Sequence, residues 1–360
     1  PISNQKCKSL MRLQTYRSLL LKILLVASFG LITLSNAYGL ERIRWKVQHT
    51  AVTPLQLQTV ERVAENIKIM SGGKLSFRLY KPGSLVPNGE IWNAVAEGQL
   101  DAGFSSPGFL AKKIPALSIF NGIPFGPSMT EFTAWMRYGG GQELKDEIYA
   151  EKGLKALNIG LFPPETGGWF KKHYQRVDAL EGIKMRFMGI GAKVMEKLGV
   201  KTLTLSFSDI KPAFEKGTID AAEFMNPQLD FFAGIHKFAK FNYYPGWIQP
   251  ISVAEFVTQK KKWEGLNKMV KTIIETSCND AYLWYYVKAT SIQPDAMIKL
   301  KSEGVTFVTW QKSEINKLKN AWNEVAEEMS NEDPLFAKVY SNLKAFREKY
   351  AIWGDRAYLK

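Results

Sequence analysis

The stretch GIKMRFMGIGAKVMEKLGVKTLTLSFSDIKPAFEKGTIDAAEF, residues 182–224, decides the fold. GIKMRFM reads as a strand, GAKVMEKLGV as a helix and KTLTLS as a second strand. SDIKPAFEKGTIDAAEF reads as another helix followed by a third strand. Strands alternating with helices at this spacing predict an α/β layer with a largely parallel sheet. One residue does not suit its surroundings. Arg186 stands between Met185 and Phe187 on a strand that reads as buried. A buried guanidinium is costly unless a carboxylate meets it. Its planar fork matches a carboxylate through two parallel hydrogen bonds, which lysine cannot supply. On the residues alone, that carboxylate belongs either to a ligand or to an internal Glu or Asp.

The same alphabet occurs on either side. RIRWKVQH alternates like a strand, and LQLQTVERVAENIKIMSGGKL has helical spacing with a Gly-Gly stop. LSFRLYKPG is a strand, and GEIWNAVAEGQLDAGFSS is a short helix and then a strand. LKALNIGLF is a further strand, and AEFVTQKKKWEGL reads as a return strand. SEINKLKNAWNEVAEEMSN and PLFAKVYSNLKAFREKYAIW are amphipathic helices. The fold class is therefore α/β: two α/β lobes, with a helical C-terminal region.

At 360 residues and 46% hydrophobic content the chain can build two cores. MRLQTYRSLLLK, ILLVASFGLITL and SNA form a basic, an apolar and a small-residue segment from Met11 onward. This is the pattern of a secretory signal peptide over residues 1–39, with cleavage expected after Ala37 or Gly39. Residues 1–10 read as read-through upstream of Met11. The apolar part is about 12 residues, short of the roughly 20 needed to span a bilayer. Without that segment the net charge falls from +14 to +9, through loss of Lys6, Lys8, Arg12, Arg17 and Lys22. The remaining basic residues are scattered, so nucleic acid is not the expected partner. Of Cys7 and Cys278, only Cys278 lies beyond the signal, so no disulfide is expected. His49, His173 and His236 share no metal-ligand spacing, and neither a G-x-S-x-G nor a phosphate-loop motif occurs.

Five pieces together, NGIPFG, GGWFKK, LEGIKMRFMGIGAKVMEKLGV, FEKGTIDAAEF and YYPGW, carry a family resemblance over roughly residues 41–350. In their order and spacing they resemble the solute-binding proteins of tripartite ATP-independent periplasmic (TRAP) transporters. The branch they are most similar to binds 2-oxoacids and hydroxyacids.

The resemblance implies a bilobed, periplasmic-binding-protein-like fold whose two lobes flank a ligand cleft and close over a small organic acid. That protein delivers the acid to membrane subunits and is not an enzyme. It implies that Arg186 clamps the substrate carboxylate, with Phe109, Glu165, Phe224 and Asn226 also at the substrate. It further implies a metal ion beside the ligand, held by Glu165, Glu223, Phe224 through its carbonyl, and Glu255 of SVAEF. Three glutamates and a substrate carboxylate against one arginine leave excess negative charge, so calcium is favoured and sodium is the alternative. Trp169 and Trp247 are expected to pack the hinge.

The lobes are expected over residues 40–163 with about 255–285, and over 164–254, followed by a helical region over 286–360. Leu335, Phe336, Val339, Tyr340, Leu343 and Phe346 form an apolar stripe that suggests a homodimer through the C-terminal helices, or else a face covering its own lobe. A periplasmic sensor or scaffold on the same fold, and a metal-dependent secreted hydrolase or lyase, are the competing functions.

Overall fold

The computed structural model describes residues 42–357. The signal-peptide reading lies outside the described residues. Among the described residues eleven strands occur in chain order: β1 (Ile43–His49), β2 (Leu75–Tyr80), β3 (Ala102–Ser105), β4 (Leu154–Phe162), β5 (Trp169–Phe170), β6 (Lys184–Arg186), β7 (Lys201–Leu203), β8 (Ala221–Ala222), β9 (Phe241–Tyr244), β10 (Ser252–Gln259) and β11 (Thr306–Thr309). They build two sheets, ordered β2-β1-β3-β10-β4 and β11-β9-β5-β8-β6-β7. β1, β2 and β3 run parallel, and β10 enters antiparallel between β3 and β4. The bilobed α/β expectation is met.

Local signals explain the flanking helices. Thr53 caps the helix Pro54–Met70 in a reciprocal box with Gln56, and Pro54 occupies the first turn, where its missing N–H costs nothing. Ser128 and Glu131 do the same for Met129–Tyr138. Trp45, Phe77, Phe104 and Phe256 stack on the first sheet at centroid separations of 5.6–6.2 Å.

The chain passes between the sheets through residues 163–168, through residues 245–251, and at the break between the helices Lys268–Ser291 and Gln293–Ser302. The first of these helices packs on β4, and the second packs on the helix Pro227–Ala233 of the other lobe. The C-terminal region is not purely helical, because β11 extends the second sheet beside β9. The expected dimer stripe turns inward. Phe336, Val339 and Leu343 are buried against helices of the first lobe and against Lys312–Glu332. Exposed apolar surface on the last helix lies further on, at Ile352 and Trp353.

Candidate functional site

β6 is paired on both sides, Arg186 opposite Leu203 of β7 and Ala222 of β8. Arg186 therefore emerges at the carboxyl ends of parallel strands, where open α/β sheets place ligands. Glu223 follows β8 directly and continues the ladder, its N–H donating to Arg186 O at 2.9 Å. Arg186 is 4% exposed. Nη1 donates to Glu223 Oε2 at 2.9 Å and to the Glu223 carbonyl, and Nε donates to Leu205 O at 3.3 Å. The Phe224 ring lies 5.5 Å from the guanidinium carbon. The internal partner left open by the sequence is thus Glu223. Nη2 takes no hydrogen-bond partner among the described residues and is the remaining edge for a ligand.

Glu165 sits in the first crossing segment, pinned by main-chain bonds from its own N–H to Gln249 O and from Thr166 N–H to Met225 O. Gly246 of YYPGW has to be glycine, because a Cβ there would stand 1.7 Å from Glu165 O. The Glu165 side chain is buried, and Oε2 has no partner. Burial pushes this carboxyl well above its usual range, Glu223 and Asp230 push it further, and Arg186 opposes them. Burial also raises Glu223, which Arg186, the Met188 N–H and a hydrogen bond from Glu165 pull back down. Of the two carboxyls, Glu165 is the one whose protonated form burial favours more. Behind them Asp230 accepts from Trp169 Nε1 at 2.6 Å, Met225 N–H at 2.9 Å and Thr166 Oγ1 at 3.3 Å. Burial raises it to about 7.

The other expected residues divide. Phe109 lines the mouth of the cleft and is largely exposed. Asn226 is buried and spends its side-chain oxygen capping the helix Pro227–Ala233 through Leu229 N–H. Trp169 packs with Asp230, and Trp247 stacks on Phe125. Glu255 does not join Glu165 and Glu223. It lies against the helix Gly141–Glu151, accepting from Tyr149 OH at 2.7 Å, with Lys145 Nζ 2.7 Å from Oε2. The lysine contact is an ion pair rather than a well-directed hydrogen bond, since Nζ directs its bond to Asn158 Oδ1 at 2.6 Å.

Two residues escaped the sequence reading. Gln249, two positions beyond YYPGW, lines the cleft with Glu165 and donates its amide to Asn121 O. Asp230, just after the Asn226 cap, ties the two acid-bearing segments together. Their nearness to the motifs was the available signal.

Among the described residues no three acidic, His or Cys side chains converge to hold an ion by themselves. Two carboxyls with carbonyl and amide oxygens beside them are still an all-oxygen set of the kind hard cations take. Next to Glu165 and Gln249 the cleft opens into a cavity of about 360 Å³.

The family model for bacterial extracellular solute-binding protein, family 7, matches residues 47–333. A monocarboxylate 2-oxoacid-binding periplasmic protein of Nostoc sp. strain PCC 7120 is 32% identical over 325 residues, 89% of each chain. The TRAP transporter solute-binding protein of Bordetella bronchiseptica RB50, solved as a mixed-occupancy dimer with calcium and picolinate, superposes with a TM-score of 0.82. It is 28% identical, with 88% of this chain and 95% of that chain covered. The TRAP periplasmic solute-binding protein of Pseudoalteromonas atlantica T6c, with sodium and pyruvate, gives 0.81 at 29% identity, covering 88% and 97%. The chain belongs to family 7 of the bacterial extracellular solute-binding proteins, the binding subunits of TRAP transporters.

Proposed function

We propose that this protein captures one small 2-oxo- or 2-hydroxycarboxylate together with a cation in the periplasm, and hands the acid unchanged to TRAP membrane subunits. The observation that carries this is the buried Arg186–Glu223 pair beside a second buried carboxyl, Glu165, whose Oε2 has no partner. A site with one more acid than it has cations, next to a cavity, is prepared for a positive ion. Arg186 Nη2 takes the ligand carboxylate, and Phe224 covers the guanidinium. Glu165, Glu223, the Phe224 carbonyl and the amide oxygen of Gln249 supply the cation's oxygens, with the ligand completing the shell. Calcium is favoured, and sodium is the alternative. The calcium and sodium held by the Bordetella and Pseudoalteromonas proteins beside picolinate and pyruvate support this reading. Glu255, neutralised by Lys145, is left out of the set.

Periplasmic placement rests on the family and on the signal-peptide pattern, and no helix among the described residues is long and apolar enough to cross a membrane. The exposed end of the last helix, at Ile352 and Trp353, is the apolar surface of that helix left for a homodimer. Mass spectrometry of ligand released from purified protein should recover an intact small carboxylic acid. Conversion of added acid to a product, or no acid bound by any preparation, would overturn the reading.

A further inference from the structure

We infer that a groove on the far side of the crossing segments controls how tightly the acid is held: the cleft can open only as this groove shuts, so bulk placed in the groove keeps the acid in. This rests on the preceding reading of the site and adds what sets its opening.

The groove is a second cavity, of about 780 Å³. One stretch of chain separates it from the cleft. Gln249 and Ser252 line the cleft, while Pro245, Gly246, Trp247 and Pro250 line the groove. That stretch is bonded to the first crossing segment through Glu165 N–H and Gln249 O. Lobes that turn about these two segments must approach on one side as they part on the other. In this structure the cleft side is shut. Arg186 and Glu165 are buried, and one apolar cluster joins Leu55 of the first lobe to Met225 and Leu229 of the second. The groove is correspondingly wide.

Its sides are two helices joined at Asp333, each fastened to a different lobe. The helix Lys312–Glu332 is held by the second lobe. Glu314 Oε2 accepts from Val177 N–H at 2.8 Å, Lys317 pairs with Asp178 at 2.6 Å, and Lys197 pairs with Glu328 at 2.7 Å. The last helix, Pro334–Ala357, is held by the first lobe. Trp135 Nε1 donates to Asn342 Oδ1 at 2.7 Å, and Arg347 donates to Glu131 Oε1 at 3.1 Å and to Phe125 O at 2.8 Å. The two helices touch through Trp322 and Tyr340. Beyond that contact the groove lies between Lys319 on one and Ala351 on the other.

Opening the cleft therefore drives these helices together. The groove carries the rings of Phe125, Trp247, Tyr340 and Tyr350, so its closing removes apolar surface from water and favours the open, empty protein. Phe125 ties the floor to the last helix. Its N–H donates to Trp247 O at 2.8 Å, its carbonyl takes Arg347, and these bonds hold it at φ 54°, a conformation few non-glycine residues adopt.

The test places tryptophan in the groove, at Lys319 on one helix and at Ala351 on the other, and titrates pyruvate calorimetrically with calcium present. Each ring has room while the cleft is shut and obstructs the approach of the helices. A ligand-free protein that is shut about a tenth of the time gains at most about tenfold in affinity when held shut. Lys319→Trp and Ala351→Trp should each bind pyruvate roughly three- to tenfold tighter, and release it more slowly in stopped flow. Lys349→Trp, on the last helix but outside the groove, should stay within about twofold of the parent. Without ligand, both groove variants should show a smaller radius of gyration by X-ray scattering than the parent. Two positions on different helices cover the case in which one variant does not fold. Unchanged or weaker binding in the folded groove variants, with the parent binding, would overturn the role of the groove and leave the acid site standing. Equal scattering from ligand-free parent and groove variants would overturn it without reference to any acid. A parent that binds no pyruvate would count against the reading of the site, and the scattering comparison would still decide the groove.

Discussion

Among the described residues the protein buries two ion pairs, one in each lobe, and they are built differently. Lys145–Glu255 is closed. One cation meets one anion at 2.7 Å, Tyr149 OH fills Oε1, Asn158 takes the remaining lysine bond, and the Tyr149 ring lies 5.5 Å from Nζ. Arg186–Glu223 is equally buried, but a second carboxyl, Glu165, stands beside it with an oxygen unpartnered and its protonated form favoured by burial. Every buried charge must be compensated. Where the compensation is complete within the chain the pair is structural. Where it is incomplete, the missing charge marks the place of a ligand.

Breaking each pair should therefore fail in a different way. Lys145→Met leaves Glu255 buried without a counter-ion and should cost about 3–5 kcal/mol of stability. Protein that remains folded should bind acid within about twofold of the parent. Lys145→Met combined with Glu255→Leu should recover most of the loss. Denaturant unfolding and calorimetry read the two effects separately, and loss of acid binding in folded Lys145→Met protein would erase the contrast. Arg186→Lys should do the reverse. It keeps the charge opposite Glu223 but gives up the fork, so acid affinity should fall by about 2–5 kcal/mol, tens- to thousands-fold, with little change in the denaturation midpoint. An unchanged dissociation constant would remove Arg186 from the site.

A smaller effect should come from Asp230, which holds the open pair in register. In Asp230→Asn one carboxyl oxygen becomes an NH₂ facing the N–H of Met225 or the indole N–H of Trp169, at a cost of about 1–3 kcal/mol. The pH dependence has a definite sign. Asp230 is raised to about 7 in the folded chain, from 3.8. Its protonation stabilises the fold at low pH, and that contribution fades as pH rises through about 7. Ligand-free protein should lose stability over roughly pH 4–7, and Asp230→Asn should flatten part of that slope. Equal slopes in parent and variant would show that Asp230 is ionised throughout.

Much of this was legible beforehand, and the misreadings have physical causes. Arg186 was visible because a charge interrupts an apolar strand, and Glu223 because it matches the acidic position of the family motif that the chain resembles. Glu255 was misplaced because successive side chains on a strand point to opposite faces. Ala254 lines the cleft, and Glu255, the next residue of β10, meets Lys145. The stripe at Phe336, Val339 and Leu343 had the right period for a buried helix face, but periodicity does not say whether the cover is the same chain or a second copy. Gln249 was passed over because a neutral amide gives no charge signal; only its place in a segment crossing between the sheets brings it to the site.

The smallest effect separates the two candidate ions in the proposed site. Arg186 and Glu223 cancel, so a bound carboxylate leaves one negative charge, plus another if Glu165 ionises. Sodium closes the balance with Glu165 still protonated. Calcium closes it only if Glu165 gives up its proton. Because burial raises the Glu165 carboxyl well above its usual range, that proton is present at moderately acidic pH and must be displaced. Calcium affinity should then fall about tenfold, roughly 1.4 kcal/mol, for each pH unit below the point where Glu165 titrates, whereas sodium affinity should stay level. Glu165→Gln should remove the slope and shift the preference towards sodium. Chelator-treated protein titrated with each ion over roughly pH 5–8, in buffers of different ionisation enthalpy, reports both the affinity and the proton released. A level calcium profile with no proton released would mean that Glu165 is not a ligand. Full acid binding with neither ion present would discard the metal site itself.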